Sequence, residues 1–191
     1  MPRVEWRVAL RALAGFAVGL ALWVFLSPQY DRVIAAGAEK VLRAFEDPPV
    51  TRLRPAADRF VTVDREDFDP RSKRPAIPVH DLTFNVILLT ALFAASKRPF
   101  SDRNISGFLL AALLLSVTHV FGMVAEVMSI YVAKLGMWSR VNYGDFSRNF
   151  WGVANHFYRL VLMYAIAFML WWIFRDRGIE APAPAKKKKK R

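Results

Sequence analysis

The sequence has no cysteine among its 191 residues. That excludes disulfides, thiolate metal sites and cysteine nucleophiles. Histidine is scarce, with only His80, His119 and His156, and their spacing matches no metal-binding motif, so neither a metal nor another cofactor is expected. The patterns G-x-x-x-x-G-K-S/T, H-E-x-x-H and G-x-S-x-G are missing as well. Acidic residues number 16 against 28 Lys and Arg, a formal net charge of +12, while 54% of the residues are apolar. Such apolar content excludes disorder as the main state. The cations gather at the ends of apolar runs, a pattern that argues against a nucleic-acid partner.

Four runs are nearly free of charge. Ala12 to Tyr30 is nineteen residues, Leu82 to Ser96 fifteen, Asn104 to Ala125 twenty-two, and Asn149 to Phe174 twenty-six with Arg159 inside it. A helix needs about 20 residues to cross the hydrocarbon core. The short second run reaches this length if Val79 and His80 extend it and Lys97 and Arg98 snorkel. The flanks of these runs, with both termini placed on one side, hold fourteen cations and four acids. Segments 31–81 and 126–148 hold thirteen cations and twelve acids. This asymmetry predicts four spans with both termini cytoplasmic in a bacterial inner membrane. Trp151 and Trp171, about 30 Å apart along a helix, are expected at the two interfaces of span four. Ala36-Gly37-Ala38 imitates a signal-peptidase site, but it lies too far beyond the apolar stretch, so span one reads as a retained anchor.

The fold class is therefore an α-helical polytopic membrane protein of four transmembrane helices, with a small extracytoplasmic insertion of a helix and a β-hairpin. Residues 1–30 form the N-terminus and span one. Residues 31–80 form the outer insertion: an amphipathic helix over 31–46, stopped by Asp47-Pro48-Pro49, then a hairpin over 50–64. Residues 64–78 read as an ordered loop. Residues 81–178 hold spans two to four, with 126–148 leaving span three as a helix and then lying in the interface. Residues 179–191 form a basic tail, in which Lys186, Lys187, Lys188, Lys189, Lys190 and Arg191 are expected to contact anionic lipid of the cytoplasmic leaflet.

An isolated hairpin is marginal, so the outer segment is either a connector or a docking element. The docking reading makes Phe60 and Val61 the partner-binding pair. Inside the spans, ionisable residues are costly and mark a partner or a function. His119 and Glu126 lie seven residues apart on one face of span three. Asn155 and Arg159 share a face of span four beside His156, and Asn85 opens span two. Arg159 lies about 12 Å below Trp151, at the expected depth of the span-three pair, so it is expected to pair with Glu126 or with the His119 ring. If the chain is an enzyme, His119, Glu126, Asn155 and Arg159 are its candidate catalytic residues.

The whole layout resembles that of the exosortase H-associated membrane proteins. One span is followed by an outer segment of about fifty residues and then three spans; Thr83-Phe84-Asn85 opens the second, and the aromatic-rich last span carries Asn155 to Arg159. Exosortases resemble sortases and use Cys, Arg and His near the outer face. His119 and Arg159 match two of these types, but there is no cysteine and the His precedes the Arg. The resemblance thus implies a non-catalytic accessory subunit in envelope protein sorting or export, with a membrane protein such as an exosortase as its partner. The alternative is a small intramembrane enzyme or transporter component using the His/Arg/Glu cluster, although no inverted repeat supports a complete transporter.

Overall fold

The computed structural model describes residues 6–56, 59–69 and 71–175. The chain is mostly helical. Helix α1 runs Trp6–Phe45, strands β1, β2 and β3 are Thr51–Pro55, Phe60–Arg65 and Ala76–Pro78, and the short helix α2 (His80–Thr83) leads into α3 (Asn85–Ala94). Helix α4 is Asp102–Ala133, α5 is Met137–Asn142 and α6 is Asp145–Phe157; a π-helical turn, Tyr158–Leu162, joins α6 to α7 (Met163–Phe174). Three helical stretches are long and apolar enough to cross a membrane: Trp6–Phe45, Asp102–Ala133 and Asp145–Phe174. His80–Ala94 is a shorter apolar helix. The basic tail, including Lys186 to Arg191, lies outside the described residues.

The first correction concerns α1. The expected break between span one and a separate helix over 31–46 is absent, and one forty-residue helix runs through Pro28. Proline lacks an N–H and leaves the carbonyl four residues earlier without its helical donor. Here that carbonyl belongs to Val24, and Arg59 Nη2 donates to it at 3.2 Å. The Arg59 guanidinium also lies 5.2 Å over the Trp23 ring. Arg59 holds a left-handed backbone, φ 61°, which costs a side-chain-bearing residue about 1 kcal/mol. The two contacts at Val24 and Trp23 offset that cost, and the proline that would break an isolated helix instead becomes the place where the sheet attaches.

The second correction concerns the sheet. It has three antiparallel strands in the order β1-β2-β3, with Leu53 opposite Val63 and Val61 opposite Ile77. Ala76–Pro78, read from sequence as loop, supplies the third strand and makes β2 central. Leu53, Val61, Val63 and Ile77 all point inward and are buried with Ile34, Ala38 and Leu42 of α1 and Val127, Ile130 and Tyr131 of α4. The apolar stripe of the C-terminal half of α1 and the apolar face of the sheet thus cover each other, with the C-terminal end of α4 closing the third side.

One arginine pins this layer. Arg65 Nη1 donates to Glu46 Oε1 at 2.7 Å, and its Nε and Nη2 donate to the two Asp67 oxygens at 2.9 and 3.1 Å. Its guanidinium lies 5.0 Å from the Tyr131 ring and 5.1 Å from the Trp138 ring. These hydrogen bonds and the adjacent positive charge hold the Asp67 carboxyl below its usual range. Thr51 bonds both Glu46 and Tyr131, and Phe68 meets Tyr131 and Trp138 edge-on. Segment 134–144 therefore packs Trp138 onto the sheet layer.

Within the apolar part, lipid is as apolar as leucine, and close backbone approach replaces the hydrophobic effect as the source of helix packing. A Cβ on Gly15 would meet Ala94 Cβ at 2.3 Å, and one on Gly19 would meet Thr90 Cβ at 3.0 Å. Gly15 and Gly19 form a small-xxx-small seam between α1 and α3. Arg11 Nη1 closes its lower end by donating to the carbonyls of Ser96 and Lys97 at 3.0 and 3.2 Å, the orphan acceptors at a helix C-terminus. Replacing Gly15 by Leu should separate α1 from α3 and destabilise the protein by about 1–3 kcal/mol, the range for overpacking. A denaturation midpoint in detergent equal to wild type would show that this seam is dispensable.

Candidate functional site

The polar residues inside the bundle fall into two centres. The deeper one is built around His119, which is 0% exposed. Asn85, at the first turn of α3, donates from Nδ2 to the Met163 carbonyl at 2.7 Å. That bond leaves Asn85 Oδ1 as an acceptor. His119 Nε2 lies 2.6 Å from it and must donate. A neutral imidazole then has a bare Nδ1, which accepts the Tyr30 hydroxyl at 2.7 Å. Ser116 Oγ stands 2.9 Å from the same phenolic oxygen, and the Tyr30 and His119 rings meet edge-on at 5.8 Å. The chain of contacts runs Tyr30 (α1), His119 (α4), Asn85 (α3), Met163 (α7). One histidine thus joins four helices.

The π-helical turn helps to place this end of the chain. Such turns widen the helix by one residue, and here the turn spans Tyr158–Leu162, directly before Met163. Tyr158 lies over Gly122 of α4, where a Cβ would meet its ring at 2.3 Å. Glycine at 122 is the condition for that ring to enter the α4–α7 interface.

The second centre lies toward the end of the bundle that carries the sheet and is charged. Arg159 Nε is 3.4 Å from Glu126 Oε2, and its Nη2 is 3.8 Å from Asp81 Oδ2. Lys134 Nζ is 3.6 Å from the other Glu126 oxygen, and His80 Nε2 is 3.3 Å from Asp81 Oδ1. The signs alternate along Lys134, Glu126, Arg159 and Asp81. The Arg159 contacts are ion-pair rather than hydrogen-bond separations. Glu126 has a side-chain exposure of 7% and Arg159 one of 36%.

The structure thus brings Asn85 to His119, and Glu126 to Arg159, but it keeps the two pairs apart. Of the two partners expected for Arg159, Glu126 is found; the His119 ring is taken by Asn85 and Tyr30. Asn155 is buried, with Oδ1 lacking a hydrogen-bond partner among the described residues. His156 faces outward and donates from Nδ1 to the Gly152 carbonyl of its own helix at 2.8 Å. The pair proposed for partner binding is corrected in part: Val61 is 1% exposed beneath the central strand, and Phe60 is 37% exposed with its ring edge-on to His80. A strand paired on both sides offers no free edge, so Val61 belongs to the core. Among the described residues, no group of three or more His, Asp or Glu is placed to hold a metal.

Sequence reasoning missed Tyr30, Ser116 and Asp81. Tyr30 ends the first uncharged run and Asp81 precedes the second, so both looked like flanks of a span. The Gly15-x-x-x-Gly19 spacing was a signal present in the sequence and passed over.

Sealed by side chains and main chain on every side, His119 orients helices and meets no open cleft. The family model for exosortase H-associated membrane proteins matches residues 2–178. The chain belongs to this family. No curated protein and no solved structure matches it.

Two tests follow from this geometry. If His119 and Asn85 are bonded across helices, a double-mutant cycle of Asn85→Ala and His119→Ala should give a coupling of about 0.6–1.7 kcal/mol, the range measured between membrane helices. Additive losses would disprove the bond. Arg159→Leu should destabilise by about 1–3 kcal/mol, the cost of a group left unsatisfied, because Lys134 still faces Glu126. Adding Glu126→Gln to that variant should restore part of the loss. A double variant less stable than Arg159→Leu would refute the pair.

Proposed function

We propose that this protein is a non-catalytic accessory subunit of the bacterial inner membrane that binds an exosortase-type enzyme and serves envelope protein sorting. The observation that carries this reading is the engagement of His119 on both ring nitrogens at 0% exposure. A catalytic imidazole must reach a substrate proton, and this one is committed to holding four helices. A small intramembrane enzyme or transporter component would need the same residues on an open cleft.

The reading includes four spans, with α3 and its lead-in as the short second one. His80–Ala94 extends about 22 Å, below the usual core thickness, and Arg11 at its inner end and the His80–Asp81 pair at its outer end suit a locally thinned bilayer. Both termini are cytoplasmic, the sheet layer and α5 are extracytoplasmic, and Lys186 to Arg191 meet anionic lipid. The partner's face is the outer part of α6, where Phe146, Phe150, Val153 and Phe157 repeat at helical spacing and are 82, 52, 68 and 50% exposed. This stripe replaces Phe60 and Val61 as the docking surface.

Both parts can be tested. Cysteines introduced at Ser72 and Phe100, both exposed, should react differently with an impermeant thiol reagent in intact cells: position 72 labels and position 100 does not. Labelling at 100 would overturn the four-span arrangement. An exosortase from the same cell should co-purify with this protein in mild detergent, and Phe150→Ala with Val153→Asp should abolish recovery while leaving the thermal midpoint within about 2 °C. Full recovery with the double variant would remove α6 as the docking face, and no recovery with the wild type would overturn the accessory reading.

A further inference from the structure

The outer end of α1 carries a carboxylate that the fold leaves unsatisfied. Asp31 is 5% exposed, and neither of its oxygens has a hydrogen-bond partner among the described residues. One helical turn earlier, on the same face, the Ser27 hydroxyl is buried and equally unpartnered. The charges of Arg59 and His80 act on this carboxylate, but no described group donates a hydrogen bond to it, and a buried carboxylate without donors is unfavourable. Asp31 lines a cavity of about 310 Å³ whose walls include Pro28, Arg32, Pro55, Arg59 and Phe60. The lining has both signs. Among the described residues, Arg59 spends one of its five N–H donors, on the Val24 carbonyl, and its guanidinium can offer the others to a ligand. Arg32 is exposed at the rim.

This mixture restricts the occupant. A simple cation drawn to Asp31 meets two guanidinium groups, and a simple anion drawn to the arginines meets the carboxylate. A group with an ammonium and a phosphate a few bonds apart satisfies both. The place is also restrictive: Asp31 directly follows the uncharged run of α1, about two helical turns beyond Trp23 of the Trp23–Arg59 stack, at head-group level. We propose that this cleft binds the phosphoethanolamine head group of a zwitterionic phospholipid, its ammonium donating to Asp31 and its phosphate accepting from Arg59 and Arg32. A choline head group has the same charges but no N–H, and would leave the carboxylate without a donor. The side of the membrane rests on the topology proposed above, whereas the binding itself needs no exosortase.

The purified full-length protein in nanodiscs of equal phosphatidylethanolamine and phosphatidylcholine, examined by native mass spectrometry, should retain the former about tenfold over the latter, the ratio expected from a charge-assisted hydrogen bond. Asp31→Asn should erase this preference, and Arg32→Ala should weaken retention of both lipids. Stability separates a ligand site from a structural carboxylate. In pure phosphatidylcholine, Asp31→Asn should be at least as heat-stable as wild type, because an unpartnered charge has been removed. In phosphatidylethanolamine the wild type should gain and the variant should not. Equal retention of the two lipids by wild type, a preference surviving in Asp31→Asn, or a variant less stable in both lipids would overturn the proposal. Displacement of the lipid by millimolar glycerophosphoethanolamine would assign the cleft to a soluble head-group compound and overturn the lipid assignment. None of these outcomes depends on partner recovery, so the accessory reading stands or falls separately.

Discussion

A helix bundle in lipid has no hydrophobic force to orient its members, and in this one a single histidine decides which helix faces meet. His119 can receive a hydroxyl on one side and give a proton on the other because its two ring nitrogens differ in the neutral form. That asymmetry selects its neighbours. Tyr30 must be a donor, the Asn85 oxygen must be an acceptor, and the Asn85 amide must then find a carbonyl, which Met163 supplies. Each bond is modest, since such contacts between membrane helices average well under 1 kcal/mol. Their weight lies in direction: they fix the rotation of α1, α3, α4 and α7 about their axes, which shape complementarity between smooth apolar helices defines poorly.

The outer layer rests on a parallel economy. Pro28 frees a carbonyl, Arg59 takes it, and the sheet is thereby hung on the helix it packs against. Arg65 joins the other end of the sheet to Glu46, Asp67 and the rings of Tyr131 and Trp138. Both arginines have flat guanidinium groups that can stack on a ring while donating in the plane, a combination that lysine does not offer. A layer of about fifty residues cannot bury much apolar surface alone. It is stable here because α1 and α4 run on alongside the sheet and contribute half of the buried cluster.

The long helices were legible because run length and charge asymmetry are properties of the chain itself. The strands β1 and β2 were legible because alternation is local. β3 was not, since three residues, Ala76 to Pro78, carry no periodicity and become a strand only by pairing with β2. The continuity of α1 was hidden for a related reason: Pro28 is a breaker until a donor about thirty residues further along the chain, Arg59, repairs the lost bond. Within the site, matching depths along α4 and the last span linked Arg159 to Glu126 correctly, because axial position follows from residue count. The partners of His119 could not be read in this way. They depend on how α1 and α3 are rotated, and nothing local in Tyr30 or Asn85 encodes that rotation.

The distribution of polar groups also divides the bundle by stiffness. Above His119 the helices carry ion pairs, the sheet layer and the Arg65 clamp. Below it, down to the level of Arg11, the four helices have no charge, and the contacts are chiefly apolar, Leu89 and Phe93 on α3, Ala111 and Leu115 on α4 and Leu170 on α7, with Asn104 Nδ2 donating to the Phe93 carbonyl at 3.3 Å as a buried polar link between α4 and α3. A cavity of about 390 Å³ opens there beside Gly15, Thr90, Phe93 and Asn104. Regions held by fewer directional contacts open at lower free energy, so the inner half is the compliant part and the outer half the rigid one. On the reading proposed above, a subunit that presents a constant surface to a partner at the outer face is served by this arrangement. The opposite order, with a rigid inner half and a loose outer half, would spend part of the binding energy on ordering the docking surface each time it is used.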